Sequence, residues 1–183
     1  KEMASRITGV HIDHAMVINI PAFEKLVDAL DGVTVTLQKP FDESQQWGYP
    51  FHLDAGKQTL NGEQALYYVR SRYSSSDFDR ARRQQEVILA IKNKLLNLDI
   101  LSNPLKINEL IGIVKSNVKT DINPWELQSL VRTATSLKNA PIKKYVITTE
   151  NLLYESKLNE VYILLPKGDN FQEIKSLFKN ILN

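Results

Sequence analysis

The stretch from Leu66 to Gln85 constrains the fold most, because a concentration of charge runs directly into the longest helix signal in the chain. It holds five arginines and two aspartates. Ser76 and Asp79 have the spacing of a capping box, which predicts a helix from about Ser76 to Asn97. The apolar stripe predicted to face the core consists of Ala81, Val87, Ile88, Ile91 and Leu95.

The arginines indicate an anion site, because a guanidinium group presents a planar fork of donors that matches phosphate and carboxylate. A solvated, salt-bridged helix start is the common alternative. At about 100° per residue, Asp77, Arg80 and Gln84 are predicted on the inward side of the helix, with Arg83 at its edge. An inward Arg80 needs either Asp77 as an internal partner or a cleft that holds an anion, and we favour the cleft.

Two further arginines precede this helix. Asn61 and Gln64 form a second capping-box pattern, which predicts a short helix that ends near Val69. Arg70 and Arg72 follow it. If the backbone is extended there, both side chains face one ligand, whereas on a continuous helix they diverge.

Composition is that of one globular domain over residues 1–183, with 43% hydrophobic and 24% charged residues. The net charge of +2 gives no sign of broad nucleic-acid binding. The absence of cysteine excludes disulfides and thiol catalysis. There is no phosphate-binding P-loop and no dinucleotide fingerprint, and the three histidines lack the spacing of metal ligands.

The first part of the chain predicts an α/β fold. A buried strand is expected at Ala15–Ile20, followed by a helix from Pro21 and a strand at Val33–Leu37. This order favours a βαβ-like unit with a parallel crossover. The irregular segment Gln38–Gln58 is rich in aromatic residues, and it is either a functional rim or a loop pinned to the core.

The rest of the chain is interpreted as scaffold. A helix is predicted to end at Gly9, and another to begin at Asn103-Pro104. Asn123-Pro124 predicts a helix whose inward stripe is Leu127, Leu130, Val131, Ala134 and Leu137. Strands are predicted at Tyr145–Thr148 and Val161–Leu165, with Tyr154 in the loop between them, and a last helix from Gly168-Asp169.

Several motifs occur together in an order that resembles the LytR-CpsA-Psr family. The match is strong over roughly the first half of the chain. The motifs are Asp13-His14, Pro21-Ala22-Phe23, the run from Leu26 to Val33, the run from Leu60 to Leu66, the run from Tyr68 to Arg72, the run from Asp77 to Arg80, and Arg83-Gln84-Gln85.

The resemblance implies a three-layer α/β/α sandwich around a mixed central sheet. It implies a transferase that moves teichoic acid or a capsule-type polymer from a polyprenyl pyrophosphate carrier to peptidoglycan. Family members lie on the extracellular face of the cytoplasmic membrane of Gram-positive bacteria and are anchored by an N-terminal transmembrane helix. They have also been described as transcriptional attenuators, so a regulator that binds nucleic acid is the alternative, although no nucleic-acid partner is expected.

The resemblance also assigns roles within the arginine-rich stretch. Arg70, Arg72, Arg80 and Asp77 are expected to be catalytic. Pyrophosphate contacts are expected from Arg70, Arg72, Arg80, Gln84 and Arg83. Magnesium is the expected cofactor, with Asp77 as a candidate ligand and the remaining ligands upstream.

The family's opening strands and their acidic residues have no counterpart in this sequence. We therefore expect the chain to be the C-terminal portion of the domain, incomplete at its N-terminal side and inactive alone. An open sheet edge would invite pairing with a second copy, so a homodimer is a further expectation.

Overall fold

The computed structural model describes residues 1–96, 103–123, 125–126, 129, 133, 136 and 140–182. They fall into two compact units, one made of Lys1–Ala15 and Pro141–Asn183 and the other of Met16–Ala140. The expectation of one domain over 1–183 stays a prediction. In chain order the elements are α1 (Glu2–Thr8), β1 (Met16–Ile18), α2 (Ile20–Ala29), β2 (Val33–Leu37), β3 (Phe41–Glu43), β4 (Phe51–Leu53), β5 (Gly56–Leu60), α3 (Gly62–Arg70), α4 (Asp77–Leu95), α5 (Pro104–Asn117), β6 (Val118–Thr120), β7 (Leu153–Leu158), β8 (Val161–Pro166) and α6 (Gln172–Leu182).

The core of the larger unit is built on the antiparallel pair β2–β5, which runs in register from Val33–Leu60 to Leu37–Gly56. Side chains alternate along β2, so that its valines and Leu37 are buried while Thr34 and Thr36 are exposed. Helix α4 packs on the buried side of β2. Val87 and Ala90 are the buried apolar residues of α4 in this core.

Helices α2 and α3 approach closely at Gly62. A Cβ atom there would lie 2.5 Å from the carbonyl oxygen of Glu24, so a larger residue would force the helices apart. The Gly62 N–H donates to the Asp28 carboxylate at 2.7 Å. This contact fixes where α3 begins and therefore where Arg70, its last residue, lies.

The predicted helix starts are confirmed by their caps. The Asn19 side chain accepts from the Ala22 N–H at the start of α2, with proline in the first turn. Complete capping boxes open α3 at Asn61 and α4 at Ser76. The sequence therefore located the two helices that carry the arginines.

Strand pairing differs from the prediction in the larger unit. The strand predicted at Ala15–Ile20 exists as β1, but it is exposed rather than buried, because β6 is its only partner among the described residues. The parallel crossover is wrong, since β2 pairs antiparallel with β5, a later strand. Within the described residues the strands form four two-stranded antiparallel ladders and not one mixed central sheet.

The segment Gln38–Gln58 is not the irregular loop that was predicted. It contains the antiparallel pair β3–β4 and the first residues of β5. Phe41 and Phe51 on these strands pack against the core cluster of the larger unit. The prolines and glycines of this segment lie largely in the turns between short strands, which the composition alone did not separate.

The smaller unit contains α1, the hairpin β7–β8 and α6. Gly9 ends α1 in the left-handed region at φ 72°, as predicted. No strand is found at Tyr145–Thr148; the strand lies at Leu153–Leu158 and includes Tyr154. Asn159 and Glu160 both have positive φ, which suits the two-residue turn of a β-hairpin.

Helical spacing of apolar residues predicts two further inward stripes, Ile107, Leu110, Ile111 and Val114 on α5 and Phe171, Ile174, Phe178 and Ile181 on the last helix, and each contains an error. Ile111 on α5 and Phe171 before α6 are exposed, while Leu110 and Ile174 are buried as expected. The predicted stripe from Leu127 to Leu137 lies outside the described residues. In the part of the chain that the structure describes, no helix combines the length and apolar character needed to cross a membrane.

Candidate functional site

The loop Ser71–Ser75 joins α3 to α4 and carries Arg72. The side chain of Arg83 contacts this loop from the buried side. The Arg83 side chain is only 6% exposed. Its Nε donates to the carbonyl oxygen of Tyr68 at 2.8 Å, and Nη1 donates to Ser75 Oγ at 2.8 Å. Nη2 donates to the carbonyl oxygen of Ser71. Arg83 thus satisfies a carbonyl near the C-terminus of α3, where helix carbonyls lack partners within the helix.

Two aromatic rings flank the Arg83 guanidinium. Its central carbon lies 5.0 Å from the ring centre of Phe41 and 5.6 Å from that of Tyr68. Burial lowers the pKa of Arg83, although nearby Tyr68 and three acidic residues oppose that change. The group nevertheless remains charged at any physiological pH. Most of its donors serve the loop, so Arg83 acts first as a structural residue.

Glu43, at the end of β3, holds the same loop by its N–H groups. Its side chain is buried, and Oε2 accepts from the backbone N–H groups of Tyr73 and Ser74, each at 3.1 Å. Burial raises the pKa of Glu43, but hydrogen bonds from Gln45, Ser74 and Tyr73 outweigh that effect and the net pKa is lowered. We call Glu43 and Arg83 the loop clamp.

Glu43 was missed at the sequence level. Phe41 and Glu43 are two residues apart on a strand, so both point to one side. That spacing would have indicated an inward acid if β3 had been predicted as a strand.

Aromatic contacts pin the turn between β3 and β4 to α3. The Tyr67 hydroxyl donates to the carbonyl oxygen of Tyr49 at 3.0 Å. Phe51 stacks on the Tyr67 ring at 4.4 Å, and Trp47 meets it edge-on at 4.8 Å. Of the two interpretations of this aromatic segment, these contacts support the loop pinned to the core.

The outer side of the same region forms the arginine surface, defined by Arg70, Arg72 and Arg80. Arg70 ends α3, and Ser71 follows with φ −57° and ψ 134°, which is close to polyproline II geometry. The backbone from Arg70 to Arg72 is therefore neither a continuous helix nor a regular strand. Arg70 and Arg72 are exposed and Arg80 is partly buried.

Arg80 forms the ion pair with Asp77 that the sequence analysis gave as the alternative to an anion-binding cleft. Its Nη1 lies 3.2 Å from Asp77 Oδ1, and the two side chains are 31% and 63% exposed respectively. This pair occupies one edge of the guanidinium group, and Arg80 has five N–H donors in all. The pairing is therefore compatible with an additional anion at the open edge.

The predicted inward positions of Asp77 and Gln84 are wrong, because both are exposed. The prediction counted Ile88 as core, whereas Ile88 is 63% exposed. The buried side of α4 holds Arg83, Val87 and Ala90, which rotates the core face by about one residue, or about 100°. Gln84 Nε2 donates to the carbonyl oxygen of Val69 at 3.3 Å, so it also helps to join α4 to the end of α3.

The expected magnesium site is not complete within the described residues. They contain no group of three or more histidine, aspartate or glutamate side chains arranged to hold a metal ion. Asp77, the candidate ligand, is paired with Arg80. We therefore derive no chemical step through a metal ion from these residues.

Comparison with known proteins identifies relatives over nearly the whole chain. The LytR_cpsA_psr family profile matches residues 2–180. Cell wall biosynthesis protein LcpA of Corynebacterium glutamicum is 36% identical over 140 residues, which is 75% of this chain and 26% of that protein. The polyisoprenyl-teichoic acid–peptidoglycan teichoic acid transferase TagU of Bacillus licheniformis is 31% identical over 179 residues, which is 95% of this chain and 53% of that protein.

A solved structure, TagT bound to LIIa-WTA, has 26% sequence identity and a TM-score of 0.70, and the match covers 99% of this chain and 66% of that one. This similarity confirms the predicted α/β fold class. The chain spans about a quarter and about half of the two curated relatives above. The match over residues 2–180 confirms the resemblance seen in the motifs, and the chain belongs to the LytR-CpsA-Psr family.

Proposed function

We propose that the full-length protein is a transferase that moves a teichoic acid or capsule-type glycopolymer from a polyprenyl pyrophosphate carrier to peptidoglycan. The names of its relatives support this proposal: TagU is a teichoic acid transferase, and TagT has been solved with LIIa-WTA bound. The observation that carries it is a loop held by a buried acid and a buried arginine, with Arg72 exposed on that loop and Arg70 and Arg80 on the two helices that the loop joins.

Phosphoryl-type transfer depends mainly on positioning and on neutralising charge. In the proposed reaction a peptidoglycan sugar hydroxyl attacks the phosphorus that carries the polymer. The new O–P bond forms while the bond from that phosphorus to the polyprenyl phosphate breaks. The arginine surface binds the pyrophosphate and stabilises the charge that develops on the leaving polyprenyl phosphate. The hydroxyl proton leaves to a general base, a role that arginine does not fill because it stays protonated.

The neighbouring residues have supporting roles in this proposal. Asp77 orients Arg80 through their ion pair. Gln84 supports the end of α3 through Val69 and presents the rest of its amide at the surface, where it can orient a phosphate oxygen. Arg83 is assigned to holding the loop, so its predicted direct contact with pyrophosphate becomes an indirect one.

The proposal keeps the remaining family expectations. Magnesium stays the expected cofactor: Asp77 is the residue of this chain that could approach it, and the ion would supply positive charge beside the phosphates. The protein would lie on the extracellular face of the cytoplasmic membrane of a Gram-positive bacterium, anchored by a transmembrane helix. Homodimer formation and inactivity of the isolated piece are also predictions.

The decisive variant is Arg80→Ala in the full-length protein, with Arg82→Ala as the control for the effect on stability of losing an ion pair on α4. Arg82 lies two residues away, is exposed and pairs with Asp79 at 2.6 Å. We expect Arg80→Ala to reduce polymer transfer about 100-fold or more, because it removes a charge from the reacting phosphates. Both variants should keep their stability within about 1 kcal/mol, since exposed ion pairs contribute little. Normal transfer by Arg80→Ala would overturn the assignment.

A regulator that binds nucleic acid would place the same arginines on backbone phosphates. A gel-shift titration at several salt concentrations, beside a polyprenyl pyrophosphate binding assay, separates the two functions. We expect binding of the pyrophosphate lipid and no specific DNA complex. Steeply salt-dependent DNA binding without lipid binding would favour the regulator instead.

A further inference from the structure

A cavity of about 340 Å³ lies against α4 on a side that the arginine surface does not use. Its walls are the end of β2, the segment that follows it, β3, Tyr68 of α3, the loop residues Ser74 and Ser75, and one side of α4. Its volume falls within the range of small-ligand sites, roughly 300–1,000 Å³.

Helix periodicity separates this cavity from the arginine surface. Asp79, Arg82 and Glu86 line it, and they recur at the spacing of one helix side. Asp77, Arg80 and Gln84 share the other side of α4 and are not among its lining residues. A ligand in the cavity would therefore leave Arg80 accessible.

The formal charges in the cavity cancel. The charged residues in its wall are Lys39, Arg82, Arg83, Asp42, Asp79 and Glu86. Several are already engaged: Arg82 pairs with Asp79 at 2.6 Å, and Glu86 accepts from the Tyr68 hydroxyl at 3.0 Å. The donors of Arg83 mostly serve the loop. An anion would meet three carboxylates there, and the cationic groups are largely committed.

The lining also carries uncommitted polar side chains. Gln38 and Lys39 form no side-chain hydrogen bond to the described part of the chain, and Thr36 is exposed at the rim. An apolar ligand would bury such groups without partners, which is costly. Hydroxyl groups both donate and accept, so a polyhydroxylated ligand matches the mixed donors and acceptors.

We propose that this cavity binds one unit of an uncharged saccharide. Its identification as part of the peptidoglycan acceptor rests on the proposed function, whereas saccharide binding itself does not. A second contact on α4 would hold a long glycan chain without occupying the arginine surface.

The test is a titration of the full-length protein with chitotetraose in its fully N-acetylated form, which is uncharged, followed by amide chemical shifts and calorimetry. Thr36→Trp should narrow the rim of the cavity and weaken binding about tenfold or more. Thr34→Trp is the matched control, because Thr34 is exposed on the same side of β2 but does not line the cavity. Tryptophan suits a strand at both positions, and thermal unfolding checks that both variants fold.

Shifts confined to the cavity, lost in Thr36→Trp and kept in Thr34→Trp, would support the site. Absence of such shifts at millimolar chitotetraose would overturn it, and so would binding of inorganic pyrophosphate alone at Lys39 and Arg82. Arg80→Ala distinguishes this inference from the proposed function, since it should abolish transfer while leaving chitotetraose affinity unchanged.

Discussion

Arg83 and Arg80 lie three residues apart on α4, and their guanidinium groups contact different parts of the molecule. Arg83 is buried and bonded to the backbone and Ser75 of the loop Ser71–Ser75, whereas Arg80 lies at the surface in one ion pair with Asp77. The buried side of the helix therefore holds the loop, and the outer side leaves a charge at the surface, where the proposed function places the pyrophosphate. A sequence pattern that counts arginines does not distinguish these two uses.

The two members of the loop clamp act on opposite groups of one short segment. Glu43 accepts from the N–H groups of Tyr73 and Ser74, and Arg83 donates to the carbonyl oxygen of Ser71. A loop held in this way changes little when a ligand arrives. In the proposed function Arg72 on this loop is then positioned before the ligand binds. Hydrogen-bond donors that are positioned in advance stabilise developing charge without reorganisation.

Arg83→Met should have the largest effect on stability. This change should lower the free energy of unfolding by about 3 kcal/mol, because it leaves the carbonyl groups of Tyr68 and Ser71 without their donors. Urea unfolding measures it, and Arg82→Met on the exposed side should cost less than about 1 kcal/mol. Arg83→Lys should recover little, since an ammonium group does not reproduce the fork. Equal losses of stability in Arg82→Met and Arg83→Met would contradict the distinction between the buried and the exposed side of α4.

Glu43→Gln should have the next largest effect, a loss of about 2 kcal/mol. The amide offers one oxygen in place of two and turns an NH₂ group toward backbone N–H donors. Asp42→Asn is the control, because Asp42 lies next in the chain with an exposed side chain. Hydrogen exchange at Tyr73 and Ser74 should accelerate only in Glu43→Gln. Unchanged exchange there would show that the loop does not depend on this acid.

Acid should weaken the loop clamp through the same residue. The pKa of Glu43 is lowered in the folded protein, so its contribution is fully present above the unfolded pKa of about 4.3 and is lost as pH falls through the folded value. Wild type should therefore lose more stability than Glu43→Gln between about pH 5 and pH 3. Parallel curves for the two proteins in that range would contradict the assignment.

Local sequence patterns predicted the helices well and the pairing of the strands poorly. Capping boxes are contacts within a few residues, so Asn61 and Ser76 located α3 and α4 correctly. The pairing of β2 with β5 depends on residues distant in the chain, and short strands such as β3 lack a clear period. The site divides in the same way. Arg70, Arg72 and Arg80 were proposed from residue type and their role stays a prediction, whereas the contacts of Glu43 emerge only once β3 and the loop are brought together.

The smallest expected effect on stability is at Asp77, and it separates pairing from capping. Asp77→Asn should cost about 0.5 kcal/mol, because it weakens an exposed ion pair and a favourable charge in the first turn of α4. Asp79→Asn is its counterpart, since Asp79 bonds Ser76 in the capping box, and it should cost about 1 kcal/mol. Polymer transfer should show the reverse order and fall more in Asp77→Asn, where Arg80 loses its partner. If transfer instead follows stability across the two variants, Asp77 supports only the helix, and the arginine surface does not depend on it.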